Sequence, residues 1–154
     1  MALPPKVPSP PFPGSRIEKI NYIAKLPSSD VALDILMRLT KEFQPILVDK
    51  SYRIARLSEM CCCHAKMGRN ISILGYCMPN GDKKSSRGIY IRLRHPNTHA
   101  FMDYESLAGT MAHEIAHIKY SSHSVEFYEY MDHLQDLHDE VRLNGGKVRV
   151  GGAK

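Results

Sequence analysis

The stretch Thr110-Met-Ala-His113-Glu114-Ile-Ala-His117-Ile-Lys-Tyr-Ser-Ser-His123 decides the fold of this chain. Histidines four residues apart lie on one face of a helix, about 40° from each other, so both rings can reach a single ion. In the arrangement H-E-x-x-H the two histidines bind Zn²⁺ and the carboxylate accepts a proton from water. His123 comes six residues after His117, which matches the longer pattern H-E-x-x-H-x-x-G-x-x-H apart from its glycine. The stretch therefore predicts one zinc ion bound by three histidines, with Glu114 as the catalytic base.

The residues around this motif predict a helix that is packed on most sides. No Lys or Arg occurs between Leu107 and Ile118, and an apolar stripe at helical spacing includes Met111 and Ile115. Asp103 is the expected N-cap. Buried histidines and a buried carboxylate are costly without partners, and a divalent cation would compensate for that cost.

Composition and length favour one intracellular domain. The chain has 154 residues, of which 43% are hydrophobic, and this suffices for a core without disulfides. No apolar run approaches the roughly 18 residues of a membrane span, and the N-terminus lacks the apolar segment of a signal peptide. We therefore expect a soluble protein that does not contact a membrane.

The periodicity of the chain predicts an α+β domain over residues 16–143, preceded by a disordered, proline-rich arm (1–15) and followed by a flexible basic tail (144–154). A first helix should run from about Ser28 to Asp49, with Pro45 kinking or breaking its last turn. A C-terminal helix should begin near Ser124 and end at Asn144. Between the first helix and the motif we expect three or four mostly antiparallel strands, at 52–58, 70–77 and 88–94, the last two joined by a hairpin.

Four cysteines occur in the chain, and three of them are adjacent, at Cys61, Cys62 and Cys63. With His64 they suggest a second zinc site, but adjacent cysteines lack the spacing that lets thiolates converge on one ion. Buried thiols in a loop or short strand are the simpler interpretation. One of these thiolates could also cap the zinc in a resting state.

Further residues of the chain extend the motif into a family resemblance. The run Gly88-Ile-Tyr-Ile-Arg-Leu-Arg94, then Phe101, the motif itself and Phe127-Tyr128 resemble the WLM-domain metalloproteases of the yeast weak-suppressor-of-SUMO type. The similarity covers residues 16–141. Members usually have Gly-Pro before the third histidine, where this chain has Ser121-Ser122, so His123 is the ligand that depends most on local geometry.

The resemblance implies a compact, zincin-like α+β zinc protease that is activated by DNA and trims proteins crosslinked to DNA, as the Spartan proteases do. It also implies SUMO-modified targets and a nuclear location. Single-stranded DNA is the favoured activator. Tyr120, Tyr128 and Tyr130 are within chain distance of the site and are candidates for stabilising an oxyanion, although aromatic residues on a helix more often belong to the core.

Charge is strongly segregated along the chain. Residues 50–99 carry ten Lys and Arg against two Asp and Glu, whereas residues 100–143 carry two against nine. A basic segment is a candidate contact surface for phosphate, although it is also compatible with a merely solubilising surface. The candidate DNA contacts are the basic loop and the outward face of its strand, with a tyrosine that could stack on a base: Lys83, Lys84, Arg87, Tyr90, Arg92 and Arg94.

Two other functions are compatible with the sequence. A zinc-stabilised module could bind DNA or SUMO without cleaving anything, but such a module has no use for Glu114. A general zinc peptidase indifferent to DNA would explain the motif but not the basic segment.

Arg92 and Arg94 have a second interpretation as well. Rather than contact DNA, they could pair with acidic residues of the C-terminal helix.

Overall fold

A computed structural model describes residues 7–60 and 72–145 of the chain. It confirms the α+β class, with an N-terminal helix, a four-stranded sheet, the motif helix and a C-terminal helix. No helix in these residues is both long and apolar enough to cross a membrane. In chain order the elements are β1 (Ile17–Asn21), α1 (Ser29–Lys50), β2 (Arg53–Met60), β3 (Gly75–Pro79), β4 (Ser85–Arg92), α2 (Tyr104–Lys119) and α3 (Val125–Leu143).

The strand directions differ from the prediction of a mostly antiparallel sheet. The sheet order is β1-β2-β4-β3, and β2 runs parallel to both β1 and β4. Only the predicted hairpin, β3 with β4, is antiparallel. The five-residue strand β1 was missed, and with it the crossover through α1 that makes β1 and β2 parallel. The expected strand at 70–77 begins only at Gly75, and its residues 70 and 71 lie outside the described part.

The core lies between the sheet and the three helices. Ile54, Leu57 and Ile89 are almost fully buried on the central strands, and Leu36 and Phe43 of α1 are fully buried as well. Burial of these apolar side chains is the main stabilising contribution to such a fold.

Helix α1 continues past Pro45 to Lys50, so the predicted break does not occur. Ile46 and Leu47 are both fully buried, and their burial holds the last turn against the core. The backbone N–H of Tyr52 also donates to the Leu47 carbonyl at 2.8 Å, which closes the helix end. The free energy gained by packing the last turn therefore exceeds the cost of the helical hydrogen bond that proline cannot make.

Helices α2 and α3 begin where the sequence predicts. The Asp103 side chain accepts a hydrogen bond from the Ser106 N–H at 3.0 Å, and the Ser124 side chain accepts one from the Phe127 N–H at 3.1 Å. Both are N-caps. The four residues between α2 and the Ser124 cap form the corner that contains His123.

Two predicted DNA contacts lie in the protein interior. Arg92 is 2% exposed and donates from Nε to the Ile73 carbonyl, and Arg94 is 5% exposed. Arg94 Nε lies 2.8 Å from a carboxylate oxygen of Glu59, on β2. Alternation alone suggested an outward face, but both side chains are buried and have partners inside the fold, whereas Arg87 on β4 is exposed. For Arg94 the alternative pairing with the C-terminal helix was also wrong, since its partner Glu59 is on the sheet.

The end of the N-terminal arm that the structure describes lies against the domain. Val7 packs on the core, Ser15 is buried, and the Ser9 hydroxyl donates to the Glu18 carbonyl at 2.9 Å. Residues 7–15 therefore do not form the free arm that the prolines suggested. The cysteine cluster at 61–63 and the tail from residue 146 onward lie outside the described residues.

Candidate metal centre

Three histidines converge where α2 meets the corner before α3. His113 and His117 project from successive turns of α2, and His123 comes back from the corner. The Nε2 atoms of His117 and His123 are 3.1 Å apart, and the three rings have centroids 4.9–5.0 Å from one another. One nitrogen from each ring lies within 4.8 Å of the other two. Within the described residues this is the only group of three or more His, Cys, Asp or Glu side chains that is arranged to hold a metal ion.

This donor set fits a tetrahedral divalent ion. Bond lengths of about 2.0–2.1 Å to imidazole nitrogen place ligand atoms roughly 3.3 Å apart, close to the His117–His123 separation. Nδ1 of His117 lies 3.0 Å from the Tyr120 carbonyl oxygen, so Nδ1–H donates to it and Nε2 keeps its lone pair. Tyr120 in turn closes α2, because its N–H donates to the Ala116 carbonyl at 3.0 Å. The end of the helix therefore sets the orientation of one candidate ligand.

The protonation states of the rings suit metal binding. Burial, reinforced by the two neighbouring histidines, lowers the pKa of His113 to about 4. Burial also lowers the pKa of His117. These rings are neutral at pH 7 and can donate lone pairs to a metal.

Glu114 lies in the same cleft with only 4% of its surface exposed. Burial raises the pKa of its carboxyl to about 8. A carboxylate that is poorly hydrated binds protons strongly, as a general base must. A cation held by the three histidines would favour the ionised form.

An apolar ring forms the floor of the site. Phe127 is fully buried, and its centroid lies 4.9 Å, 4.6 Å and 5.0 Å from those of His113, His117 and His123. The sequence alone did not indicate this role for Phe127. Its place one turn after the Ser124 cap is the signal that could have shown its role, because the cap fixes how α3 enters the site.

Two cavities open on either side of the histidines. One, of about 330 Å³, is lined by β3 residues together with the histidines and Ser121. The other, of about 600 Å³, extends past Thr110 and Met131 toward Gln135. Glu114, His113, His123 and Gly75 line both, so a bound chain can pass through the site from one cavity to the other.

The three candidate tyrosines have different positions. The Tyr130 hydroxyl is 2.5 Å from that of Tyr52, and the Tyr120 ring packs on Tyr130 with centroids 5.7 Å apart. Tyr128 is 45% exposed, and its ring centroid lies 5.9 Å from that of His123. Of the three, Tyr128 is the one that is exposed and has its ring next to a candidate metal ligand.

The remaining predicted DNA contacts are divided by the structure. Lys83, Lys84 and Arg87 are exposed on or beside the β3–β4 hairpin loop. Tyr90 is partly exposed and stacks on Tyr76 at 4.6 Å between centroids. The basic loop is therefore available to a ligand, whereas the strand face beside it is occupied by packing.

Comparisons with known proteins show the family and the fold of this chain. The family model of the WLM domain matches residues 15–153. The DNA-dependent metalloprotease WSS1 of Saccharomyces cerevisiae is 24% identical over 152 residues, covering 92% of this chain and 52% of the relative, so the chain spans about half the length of the curated relative it matches. The crystal structure of Wss1 from S. cerevisiae superposes with a TM-score of 0.74 at 21% identity, covering 91% of this chain and 99% of that chain. Wss1 from S. pombe gives 0.61 at 25% identity, covering 78% of this chain and 90% of that chain.

Proposed function

Since the chain belongs to the WLM domain family, we propose that it is a DNA-dependent zinc endopeptidase that cleaves proteins crosslinked to DNA. The observation that carries the proposal is the convergence of three histidines with a buried glutamate in an open cleft. Similarity to a protein named as a DNA-dependent metalloprotease supports both the proteolysis and the dependence on DNA. Residues 16–143 form the catalytic domain in this proposal.

Each polar side chain of the site has a role in the proposed reaction. His113, His117 and His123 would hold a zinc ion, which when bound would polarise the substrate carbonyl and lower the pKa of a water molecule toward about 7. Glu114 accepts a proton from the attacking water on its carboxylate and passes it to the nitrogen of the leaving amine. The new C–O bond forms first and places negative charge on the former carbonyl oxygen. The C–N bond then breaks as its nitrogen takes the proton from Glu114, and the Glu114 carboxylate is regenerated.

The edge strand β3 gives the substrate a place to lie. Among the described strands β3 pairs only with β4, so one of its edges has no strand partner. Its residues Gly75, Tyr76 and Cys77 line the cavity next to the histidines. An extended peptide can pair with the backbone of such an edge, and this would pass its carbonyl groups in front of Glu114.

Tyr128 is the proposed oxyanion-stabilising residue. It lies beside His123 and is exposed toward solvent, whereas the Tyr130 hydroxyl is already hydrogen-bonded. A phenol that donates to the developing negative charge stabilises the transition state more than the substrate.

DNA, SUMO-modified substrates and a nuclear location complete the proposal. The exposed cations of the hairpin, Lys83, Lys84 and Arg87, support a contact with DNA phosphates. The SUMO link and the nuclear location rest on the family resemblance.

The test is cleavage of a histone by the native chain and by Glu114→Gln, each with and without single-stranded DNA. We expect cleavage only by the native chain with DNA, and a loss of about 10²–10⁴-fold in the variant, which should still bind one equivalent of zinc. Activity without DNA would indicate a general zinc peptidase. No cleavage by the zinc-loaded native chain would favour a binding module.

A further inference from the structure

Three lysines from separate parts of the chain meet on one surface beside the metal centre. Lys84 Nζ, from the β3–β4 hairpin, donates to the Lys50 carbonyl at the end of α1, at 3.4 Å. Lys50 Nζ and Lys119 Nζ lie 5.9 Å and 4.8 Å from the centre of the Tyr130 ring. We refer to Lys50, Lys84, Lys119, Tyr120 and Tyr130 as the lysine–tyrosine surface.

The aromatic rings of this surface hold the ammonium groups in place. Lys119 Nζ also lies 5.5 Å from the centre of the Tyr120 ring, so it is held between two tyrosines. Tyr130 is itself fixed by its hydroxyl contact with Tyr52. Such cation–π contacts reduce the entropy that a flexible lysine loses on binding a ligand.

Most of the positive charge on this surface is not neutralised. Within the described residues no carboxylate lies within 4.0 Å of Lys84 Nζ or Lys119 Nζ, whereas Lys50 Nζ lies 3.4 Å from Asp49. Lys50 Nζ also donates to Nε2 of His133 at 2.8 Å. Asp82 is the carboxylate of the hairpin. Its side chain accepts hydrogen bonds from the backbone N–H groups of Lys84 and Ser85 and forms no ion pair with the Lys84 ammonium group.

We propose that the lysine–tyrosine surface binds the phosphate backbone of the activating DNA strand. This inference rests on the proposed function, and it places the DNA across the end of α1 and the end of α2 rather than along β4. The three lysines come from three parts of the fold, are held in place by aromatic rings and largely lack carboxylate partners. Such a spread of positive charge suits a chain of phosphates better than a single anion. Glu129 and Asp132, which flank Tyr130 in the sequence of α3, are exposed acids.

The position of this surface relates DNA to the candidate metal ligands. Lys119 precedes Tyr120, whose carbonyl accepts the hydrogen bond from Nδ1 of His117. A phosphate bound by Lys119 would therefore lie next to the backbone that orients His117. DNA bound elsewhere on the molecule would not contact this segment.

The experiment is fluorescence anisotropy of a labelled single-stranded oligonucleotide with the zinc-loaded chain, measured between about 50 and 200 mM salt. Lys84→Glu/Lys119→Glu is compared with Lys19→Glu/Lys25→Glu, which changes the charge equally at exposed lysines in the β1 region. We expect the first pair to lower affinity by at least about tenfold and to reduce the salt slope by about 1.4, and the control pair to have a much smaller effect. Lys84→Gln/Lys119→Gln should give an intermediate loss.

Equal losses in the two pairs would show general electrostatic attraction and would overturn the proposal, as would a native chain that does not bind the oligonucleotide. Thermal unfolding and zinc content are measured for each variant, so that a misfolded protein is recognised. If the glutamate pair is misfolded, the DNA affinity of the glutamine pair tests the proposal instead. Histone cleavage by the native chain is measured separately. Absence of cleavage would refute the proposed protease activity. The comparison of DNA affinities would still show whether the lysine–tyrosine surface binds DNA.

Discussion

A methyl group added at Gly75, on β3, would lie 3.2 Å from Oε2 of Glu114, on α2. The same methyl group would lie 2.6 Å from the Tyr90 carbonyl oxygen and 3.0 Å from Cγ2 of Thr110. The first of these contacts is with backbone, which cannot move without shifting β4. The close approach of β3 to the candidate base therefore requires glycine at this position.

Gly75→Ala should lower cleavage activity strongly and lower the melting temperature, because β3 must move away from α2. The zinc content should be unchanged, since the three atoms nearest to the added methyl group belong to Tyr90, Thr110 and Glu114 and not to a histidine. Gly109→Ala is the matched control: its methyl group would lie 3.5 Å from Nε2 of Gln135, an ordinary contact, and alanine favours a helix by about 1 kcal/mol over glycine. Equal melting temperatures for the two variants would contradict the argument.

Glu114→Gln should stabilise the metal-free chain at alkaline pH. The folded pKa of about 8 exceeds the ordinary value of 4.5, so the native carboxyl contributes stability that is fully present below pH 4.5 and is lost as pH rises through 8. Glutamine has no such loss. We expect the difference in free energy of unfolding, from urea titrations in chelator, to favour the variant increasingly between pH 5 and pH 9. A difference independent of pH would show that the carboxyl is not held neutral by burial.

Tyr128→Phe should lower kcat by about 10²–10³-fold and leave the KM and the zinc content nearly unchanged, if the phenol donates only to the transition state. Tyr130→Phe is the control. It removes the hydroxyl contact with Tyr52 and should cost about 1 kcal/mol of stability without a comparable loss of kcat. Steady-state cleavage of a fluorogenic peptide measures both. A loss of kcat confined to Tyr130→Phe would reverse the assignment.

Glu59→Gln should destabilise the domain by about 3–5 kcal/mol, because it leaves Arg94 charged and buried without its partner. The Glu59 side chain also accepts the Ile23 N–H at 2.9 Å, so the change also weakens the end of β1. Arg38→Gln, which removes an exposed pair with Glu42, should cost less than about 1 kcal/mol. Chemical denaturation measures both. DNA affinity per folded molecule should be unchanged in Glu59→Gln, and a marked fall would return Arg94 to the DNA surface.

The helices could be predicted from the sequence because their signals are local. Asp103 and Ser124 each cap the turn that follows them, and the stripe of Met111 and Ile115 reports burial of one helix face. The spacing of His113, His117 and His123 likewise predicted their convergence, since all three depend on one helix and the corner that follows. Their role as zinc ligands stays a prediction.

The sheet could not be predicted as well, because strand direction depends on residues far apart in the chain. Leu57 pairs with Ile89 in parallel register, and Ile17 pairs with Ile54 across the whole of α1. The alternation around Arg92 showed that it shares a face with Tyr90 but not that this face is covered. Burial of a charged side chain depends on a partner such as Glu59, and no local pattern reveals one.

All three candidate ligands lie within the eleven residues from His113 to His123, while the four strands contain none of them. A metal ion there bridges only the corner between two neighbouring helices and does not tie together distant parts of the chain. Its removal should leave the sheet cooperative and let the corner open by local unfolding. Amide hydrogen exchange would then become faster at Tyr120 and the residues of the corner long before it does so in β2 or β4. The exchange rates of about one helical turn would therefore depend on how much of the protein has metal bound.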